Sequence, residues 1–436
     1  MLFAGIGLLD ERGQYRENQF LGVRGKKIEY IGAEPPKEDY GERYDGQGKL
    51  LMPGLVNAHS HAAMTLLRGY AENLALDDWL NTRVFPFEAR LAPEDIYNGS
   101  MLAIAELLRF GVTSVTDMYF GEDAVCRAAL ESGIKINFSS SITCFDESDL
   151  KNLPAYRETL PLIREFHNAD DGRIRIDLAI HAEYTSTPKT VAQMADWARE
   201  TGLRMHLHLS ETRSEHEACK ARHNGKTPAQ YFDSLGVFDA PTTAAHCVWV
   251  EDCDIEIFKA RGVTVACNPV SNLKLASGFC PVPRLLGAGI NVALGTDGAA
   301  SNNSLNLLEE ARLFATLYKA ASGDPTAVSP AQAVYAATRA GAHSQGREDC
   351  GILREGARAD LAVFDLRGRP YYHPCHDMAG NLIYAGQGTD VCLTMVDGKV
   401  LYRDGNFPTI DLEKVVREAE RSAYRIAGAL RKEHSR

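Results

Sequence analysis

Short runs of apolar residues, bounded by polar residues or glycine, occur at both ends of the chain and predict β-strands. Near the N-terminus, residues 19–23 and 27–31 have this pattern, and a turn that contains glycine separates them. Toward the C-terminus, residues 360–365 and 391–396 have the same character, and an Asp-Gly pair directly after the last run is a hairpin signal. Two β-rich ends therefore flank a different middle.

The long middle of the chain alternates between short apolar runs and helical patterns of about 10–15 residues, which is typical of βα units. The eight strands that we predict end near His59, Asp117, Ser141, Glu183, Leu209, Cys247, Asn268 and Asp297. Eight such units over residues 55–345 predict a (β/α)8 barrel, a fold that takes about 250 residues.

Together these elements predict an α/β protein, a (β/α)8 TIM barrel with a small β-sandwich built from both chain ends. Residues 1–54 are predicted to form the first part of the sandwich, and residues 350–405 the second part. Residues 55–349 are predicted to form the barrel. Residues 406–436 are predicted to form a helical tail, because residues 412–432 combine helical spacing with mixed charge.

Composition narrows the classes of partner. The 436 residues include 47 Lys and Arg and 58 Asp and Glu, which gives a net charge of −11. An acidic chain lacks the basic surface that nucleic-acid binding requires. No apolar stretch approaches the ~20 residues of a membrane helix, and residues 1–9 have no basic signal-peptide segment. The 10 cysteines form no C-x-x-C pair, so we expect reduced thiols in a cytoplasmic protein without membrane or nucleic-acid partners.

Histidines occur near two predicted strand ends at spacings that suit metal binding. His59 and His61 are two residues apart on the first barrel strand, so their side chains point to the same face. His206 and His208 repeat this spacing on the fifth strand. Because His208 lies nearer the strand end and three residues before Glu211, we expect it to be functional and Glu211 to move protons. We expect His206 to be a core residue or to support a ligand.

The sixth and eighth strands also end in residues that bind metals, His246 and Asp297. Each alone is more often structural, but barrels of this fold place their active sites at the C-terminal ends of the strands. The five residues that share this position are His59, His61, His208, His246 and Asp297. Three histidines and one aspartate with an open position for water form a catalytic metal site. These nitrogen and oxygen ligands favour one zinc ion, with iron or manganese as alternatives.

Several strings around these residues resemble those of the amidohydrolase superfamily. More narrowly, they resemble its 5-methylthioadenosine/S-adenosylhomocysteine deaminases and their guanine-deaminase and chlorotriazine-hydrolase relatives. The resemblance covers nearly the whole chain and implies a small composite sandwich beside the barrel. The strings are PGLVNAHSH at 53–61, HLSET at 208–212, AHC at 245–247, NPVSN at 268–272 and GTDGAASNN at 295–303.

The resemblance implies hydrolytic deamination of an adenine nucleoside such as 5-methylthioadenosine, S-adenosylhomocysteine or adenosine, with release of ammonia. The implied ligands of one divalent metal ion are His59, His61, His208 and Asp297. The implied catalytic residues are Glu211 as proton shuttle, His246 as the group that polarises the water, and Asp297. The implied substrate-binding residues are Trp79, Glu88, His181, Glu211 and Asp297.

One segment departs from the resemblance. Relatives that handle homocysteine have an arginine shortly after the third strand, whereas residues 139–144 here read SSSITC and the next arginine, Arg157, does not match that role. Binding of an amino-acid carboxylate is therefore in question. Alternatives on the same site are deamination of guanine, cytosine or a pterin, and chlorotriazine hydrolysis. We expect a small-molecule substrate. We expect residues 62–91 and the loop after the third strand to cover its pocket. Whether the protein forms a homo-oligomer is left open.

Overall fold

The computed structural model describes residues 1–434, with the side chains of all of them except Asp77, Glu122 and His434. Its β-strands form two sheets of eight strands each. The N-terminal strands are β1 (Leu2–Leu9), β2 (Tyr15–Arg24), β3 (Lys27–Gly32), β4 (Arg43–Asp45) and β5 (Lys49–Pro53). They precede the barrel, and the predicted hairpin over residues 19–31 is part of β2 and β3.

The barrel contains eight parallel strands that neighbour one another in chain order. They are β6 (Leu55–Ser60), β7 (Val112–Tyr119), β8 (Lys135–Ile142), β9 (Ile174–Ile180), β10 (Met205–Leu209), β11 (Thr242–His246), β12 (Thr264–Cys267) and β13 (Val292–Leu294). Each ends within three residues of its predicted position. The predicted (β/α)8 fold is therefore confirmed.

Hydrogen bonds between the first barrel strand and the segment that follows the last one bring the ring close to closure. The backbone N–H of Asp297 donates to the carbonyl oxygen of His59 at 3.0 Å. The side-chain amide of Asn57 donates to Oγ1 of Thr296 at 2.7 Å and accepts from the backbone N–H of Thr296 at 3.1 Å. These bonds tie the C-terminal end of β6 to the segment after β13, where two of the predicted site residues lie.

Helices follow most barrel strands and cover the outside of the ring. The helices are α1 (Leu76–Trp79), α2 (Phe85–Glu88), α3 (Pro93–Arg109), α4 (Glu122–Ser132), α5 (Pro154–Phe166), α6 (Ala169–Gly172), α7 (Pro188–Thr201), α8 (Arg213–Arg222), α9 (Pro228–Ser234), α10 (Asp252–Arg261), α11 (Pro269–Lys274), α12 (Val282–Gly287), α13 (Leu307–Ser322), α14 (Pro330–Ala337), α15 (Arg339–Ser344), α16 (Met378–Tyr384) and α17 (Leu412–His434). Thr187 caps α7 by accepting from the N–H of Thr190 at 3.3 Å.

The second sheet combines strands from both ends of the chain. Its C-terminal strands are β14 (Leu361–Asp365), β15 (Val391–Val396) and β16 (Lys399–Arg403). The order is β16-β15-β14-β5-β1-β2-β3, with β4 beside β1. Hydrogen bonding thus joins all eight strands in one mixed sheet, around a core that includes Ile6, Leu361 and Leu393. The composite architecture agrees with the prediction, and the domain boundaries at residues 54, 349 and 405 stay predictions.

The last helix, α17, packs against α3 on the outside of the barrel. Ile426 and Leu430 of α17 are buried, and Arg425 donates to Oδ2 of Asp95 at 2.5 Å. The tail is therefore helical, as its spacing predicts. Within residues 1–434, every helix is too short or too polar to cross a membrane.

Candidate active site

The five side chains predicted from the strand ends converge at one end of the barrel. Nε2 of His61 lies 3.1 Å from Oδ1 of Asp297, and Nε2 of His59 lies 3.5 Å from the same oxygen. Nε2 of His208 lies 3.3 Å from Nε2 of His61. The ring of His246 is centred 5.4 Å from that of His59. Parallel strands alone place these ends together, because all eight C-termini face the same way.

Backbone carbonyls hold two of these histidine rings in one orientation. Nδ1 of His61 donates to the carbonyl oxygen of Met118 at 2.5 Å. Nδ1 of His208 donates to the carbonyl oxygen of His181 at 2.8 Å. Such a bond places the ring proton on Nδ1 and leaves the lone pair of Nε2 free for a metal ion. Both rings therefore present their Nε2 atoms to the centre of the group.

His59 is held by a second histidine. Its Nδ1 lies 2.8 Å from Nε2 of His206, and the two rings stack with centroids 5.1 Å apart. Both residues are buried, so His206 is a core residue that also supports His59, in line with the expectation from sequence. Nε2 of His59 is buried and makes no hydrogen bond with the described residues. Unpartnered buried polar atoms are rare in folded proteins, and this one is a fitting place for a metal ion.

The donor atoms of this group fit a divalent metal ion. The ligand atoms of His59, His61 and His208 lie within 4.8 Å of one another, as do those of His59, His246 and Asp297. Imidazole nitrogens and a carboxylate oxygen that leave a position open for water are the donor set of catalytic zinc sites. Iron and manganese accept similar donors. The chemistry of these residues thus agrees with a bound metal.

The loop after β13 holds Asp297 rigidly. Its Oδ2 accepts hydrogen bonds from Oγ of Ser271 at 2.6 Å and from Oγ of Ser301 at 2.8 Å, which leaves Oδ1 to face the histidines. Asp297 has a φ of +60°, a left-handed backbone conformation that residues other than glycine seldom adopt. A Cβ at Gly295 would lie 2.8 Å from Cβ of His59, so only glycine allows the strands to approach this closely.

Burial and the interaction between Asp297 and the neighbouring histidines shift the pKa values of these side chains. Burial alone would raise the pKa of Asp297, but the neighbouring His59 and His61 hold that pKa well below its usual range. Burial lowers the pKa of His59 to about 4. Burial also acts to lower the pKa of His61, but the hydrogen bond and charge of Asp297 outweigh it and raise that pKa to about 9. A bound metal ion would displace the proton that this pKa leaves on Nε2 of His61. Asp297 is therefore ionised at neutral pH, as a metal ligand must be.

Glu211 and His246 lie side by side next to this group. Oε2 of Glu211 is 3.8 Å from Nε2 of His246. Nδ1 of His246 donates to Oδ1 of Asn272 at 2.8 Å, so Nε2 of that ring faces the cavity. Burial raises the pKa of Glu211. The carboxylate of Glu215 holds the backbone on both sides of Glu211, since it accepts from the N–H groups of residues 210, 211 and 212.

A cavity of about 310 Å³ opens from the group formed by His59, His61, His208, His246 and Asp297. It is lined by all five predicted substrate contacts, Trp79, Glu88, His181, Glu211 and Asp297. Nε1 of Trp79 and Nδ1 of His181 are buried and make no hydrogen bond with the described residues. The Tyr119 hydroxyl donates to Oε1 of Glu88 at 2.7 Å, and burial raises the pKa of Glu88 to about 7. Parts of both predicted covering segments, residues 76–88 and 141–143, line this cavity.

Sequence reasoning missed the residues that support these side chains. They are Tyr119, Glu215, Ser271, Asn272 and Ser301. Three of them lie in the strings at 268–272 and 295–303, whose composition pointed to the site without giving their roles. The other two carried no signal, because a tyrosine at the end of a strand or a glutamate in the first turn of a helix is ordinary.

Comparisons with known proteins agree with this geometry. The sequence profile of the amidohydrolase family matches residues 50–401. The 5-methylthioadenosine/S-adenosylhomocysteine deaminase of Dictyoglomus thermophilum is 43% identical over 384 residues, 88% of each chain. The 5′-deoxyadenosine deaminase of Methanosarcina mazei is 42% identical over 402 residues, 92% of each chain. The crystal structure of an adenosine deaminase from Xanthomonas campestris with bound zinc superposes with a TM-score of 0.91, at 32% identity and over 98% of each chain. The chain therefore belongs to the amidohydrolase family.

Proposed function

We propose that the protein is a metal-dependent hydrolase of C–N bonds that deaminates an adenine nucleoside and releases ammonia. The observation that carries the proposal is the position of Nε2 of His59 and His61 within 3.5 Å of Oδ1 of Asp297, with Nε2 of His208 3.3 Å from that of His61. Glu211 and His246 lie beside them at one cavity. The names of the relatives support it, since each is an adenine-nucleoside deaminase.

The proposed cofactor is one divalent metal ion, most simply zinc. The residues that would hold it are His59, His61, His208 and Asp297. A metal ion bound there supplies an activated water molecule as the nucleophile at neutral pH. Zinc is favoured by its presence in the structure of the Xanthomonas deaminase and by the donor set.

Proton transfer is assigned to the carboxylates and to His246. Oδ1 of Asp297 or Nε2 of His246 takes a proton from the attacking water as its oxygen bonds to the ring carbon that bears the amine. Glu211, whose pKa is raised by burial, donates a proton to the adjacent ring nitrogen. The proton taken from water then passes to the exocyclic amine, the C–N bond breaks and ammonia leaves. As the ring carbonyl forms, the remaining hydroxyl proton passes to Glu211, which restores its protonated form. Water and the amine are consumed, and a ring carbonyl and ammonia are formed.

The remaining cavity residues are proposed to bind the nucleoside. Glu88 has one oxygen bonded to Tyr119, and its other oxygen is the proposed acceptor for hydroxyl groups of the sugar. Nε1 of Trp79 and Nδ1 of His181 are the proposed partners of polar atoms of the base or sugar, because neither atom has a partner among the described residues. Each assignment predicts a rise in KM when the side chain is removed.

The proposed function is tested by ammonia release from metal-loaded protein and its Glu211→Gln variant. We expect release from adenosine or 5-methylthioadenosine, a loss of about 10²–10⁴-fold in turnover in the variant, and an unchanged zinc content. Glu217→Gln, on the exposed face of α8, is the matched control and is expected to behave as wild type. An active Glu211→Gln protein would refute the proton-shuttle role. Release from guanine, cytosine or a pterin instead of adenine nucleosides would refute the substrate class.

A further inference from the structure

The relatives named above differ in the group that their substrates have at the 5′ carbon: hydrogen, methylthio, hydroxyl or homocysteine. The chemistry of the cavity wall discriminates between these groups. The inference that follows rests on the proposed function, because it assumes an adenine nucleoside whose base faces Glu211. In that orientation the sugar and its 5′ group extend along the wall farther from the metal-binding residues.

This outer wall is apolar. The side chains that contribute to it are Leu76, Leu80, Val84, Phe85 and Phe120. Phe85 and Phe120 are also among the more exposed large apolar side chains of the chain, at 45% and 38%. Apolar side chains that are exposed at the mouth of a cavity gain stability when a ligand covers them. A thioether or methyl group meets these residues without loss of hydrogen bonds.

Among the described residues that line the cavity, the titratable side chains are carboxylic acids, histidines and tyrosines. Glu88, Glu211 and Asp297 line it, whereas none of the described lining residues is a lysine or arginine. The first arginine after the third barrel strand, Arg157, instead donates to the carbonyl oxygen of Lys151 and to Asn152. A ligand carboxylate at the outer wall would leave water without gaining a lysine or arginine partner, and that transfer is unfavourable.

We propose that this site selects adenine nucleosides with a small uncharged 5′ group, such as methylthio or hydrogen, over those with an amino-acid group at that position. The apolar wall favours the thioether, and the described lining offers no lysine or arginine to the carboxylate of homocysteine. The site thus acts on 5-methylthioadenosine or 5′-deoxyadenosine in preference to S-adenosylhomocysteine.

The test compares kcat/KM of the zinc-loaded enzyme for four nucleosides: 5-methylthioadenosine, 5′-deoxyadenosine, S-adenosylhomocysteine and 5′-butylthioadenosine. The last has a chain as long as that of homocysteine but no charge, so it separates length from charge. We expect the first two and the butylthio compound to agree within about tenfold, and S-adenosylhomocysteine to be lower than 5-methylthioadenosine by at least about tenfold. Equal values for S-adenosylhomocysteine and 5-methylthioadenosine would overturn the proposal, and so would equal rejection of the butylthio compound and S-adenosylhomocysteine.

A pair of variants at Thr143 tests the role of charge directly. Thr143 lines the cavity just after β8 and is exposed, so a longer side chain can extend there without displacing the core. Thr143→Arg should raise the ratio of kcat/KM for S-adenosylhomocysteine to that for 5-methylthioadenosine by about tenfold. Thr143→Met, of similar length without charge, should leave the ratio as in wild type. An unchanged ratio in both variants would count against the role of charge.

The same assay distinguishes a failure of the proposed function from a failure of the proposed selection among 5′ groups. If none of the four nucleosides releases ammonia, the proposed function is wrong and the comparison of 5′ groups does not arise. If ammonia is released from all four with similar kcat/KM, the proposed function stands and only the selection among 5′ groups is overturned.

Discussion

Glu215 provides a test of how the fold positions the proposed proton shuttle. Its Oε1 accepts from the N–H of Ser210 at 3.1 Å, and its Oε2 accepts from the N–H groups of Glu211 and Thr212 at 2.8 and 3.4 Å. Ser210 has a φ of +49°, a left-handed conformation that these bonds stabilise. One carboxylate thus holds the three consecutive residues whose path directs Glu211 toward His246.

Glu215→Gln replaces one acceptor oxygen by an NH2 group that faces backbone N–H donors. At least one charge-assisted hydrogen bond is lost, which costs about 1.5–3 kcal/mol. If that free energy is used to position Glu211, each 1.36 kcal/mol corresponds to a tenfold change in rate. We therefore expect kcat to fall by about 10- to 150-fold, with little change in KM or zinc content, because none of the proposed ligands contacts Glu215.

The assay measures ammonia release against substrate concentration and pH, with zinc content and thermal unfolding measured in parallel. Thr212→Ala is the matched control. It removes the hydroxyl that caps α8 by accepting from the N–H of Glu215 at 3.1 Å, which should cost about 1 kcal/mol in stability. The variant leaves the Glu215 carboxylate in place. An equal fall in kcat in the two variants, or a wild-type kcat in Glu215→Gln, would refute the positioning role.

Three further predictions concern the metal, the sugar contact and stability. Ser301→Ala removes one of two donors to Oδ2 of Asp297 and should weaken zinc binding about tenfold in a chelator competition assay. Because burial raises the pKa of Glu88 to about 7, KM of the wild type should rise as the pH falls below 7, whereas KM of Glu88→Gln should not vary there. Burial raises the pKa of Glu310 from 4.5 to about 8, so the folded state binds this proton more tightly than the unfolded state does. The free energy of unfolding should therefore fall as the pH rises from 4.5 to 8, by up to about 1.4 kcal/mol per pH unit. In urea unfolding, the free energy of unfolding of Glu310→Gln should depend less on pH.

The fold and the convergence of the five strand-end side chains were largely predictable from sequence because their signals are local. An apolar run bounded by glycine predicts a buried strand, and eight such runs with helices between them leave few topologies other than the barrel. Once the strands are parallel, residues at their C-terminal ends must come together. His59 and Asp297 are far apart in the chain, yet their place at the ends of the first and last strands was sufficient to pair them.

Tertiary structure alone decided how these residues are supported and what surrounds them. The bonds from Tyr119 to Glu88 and from Ser271 to Asp297 join residues whose separation along the chain has no regular spacing, so no sequence pattern signals them. The same holds for the apolar and acidic wall of the cavity, which residues from many loops contribute. Sequence determined which residues meet at the barrel mouth, because the direction of each strand is a property of the backbone. The packing of side chains from distant segments determined the orientation and pKa values of those residues and the chemistry of the cavity.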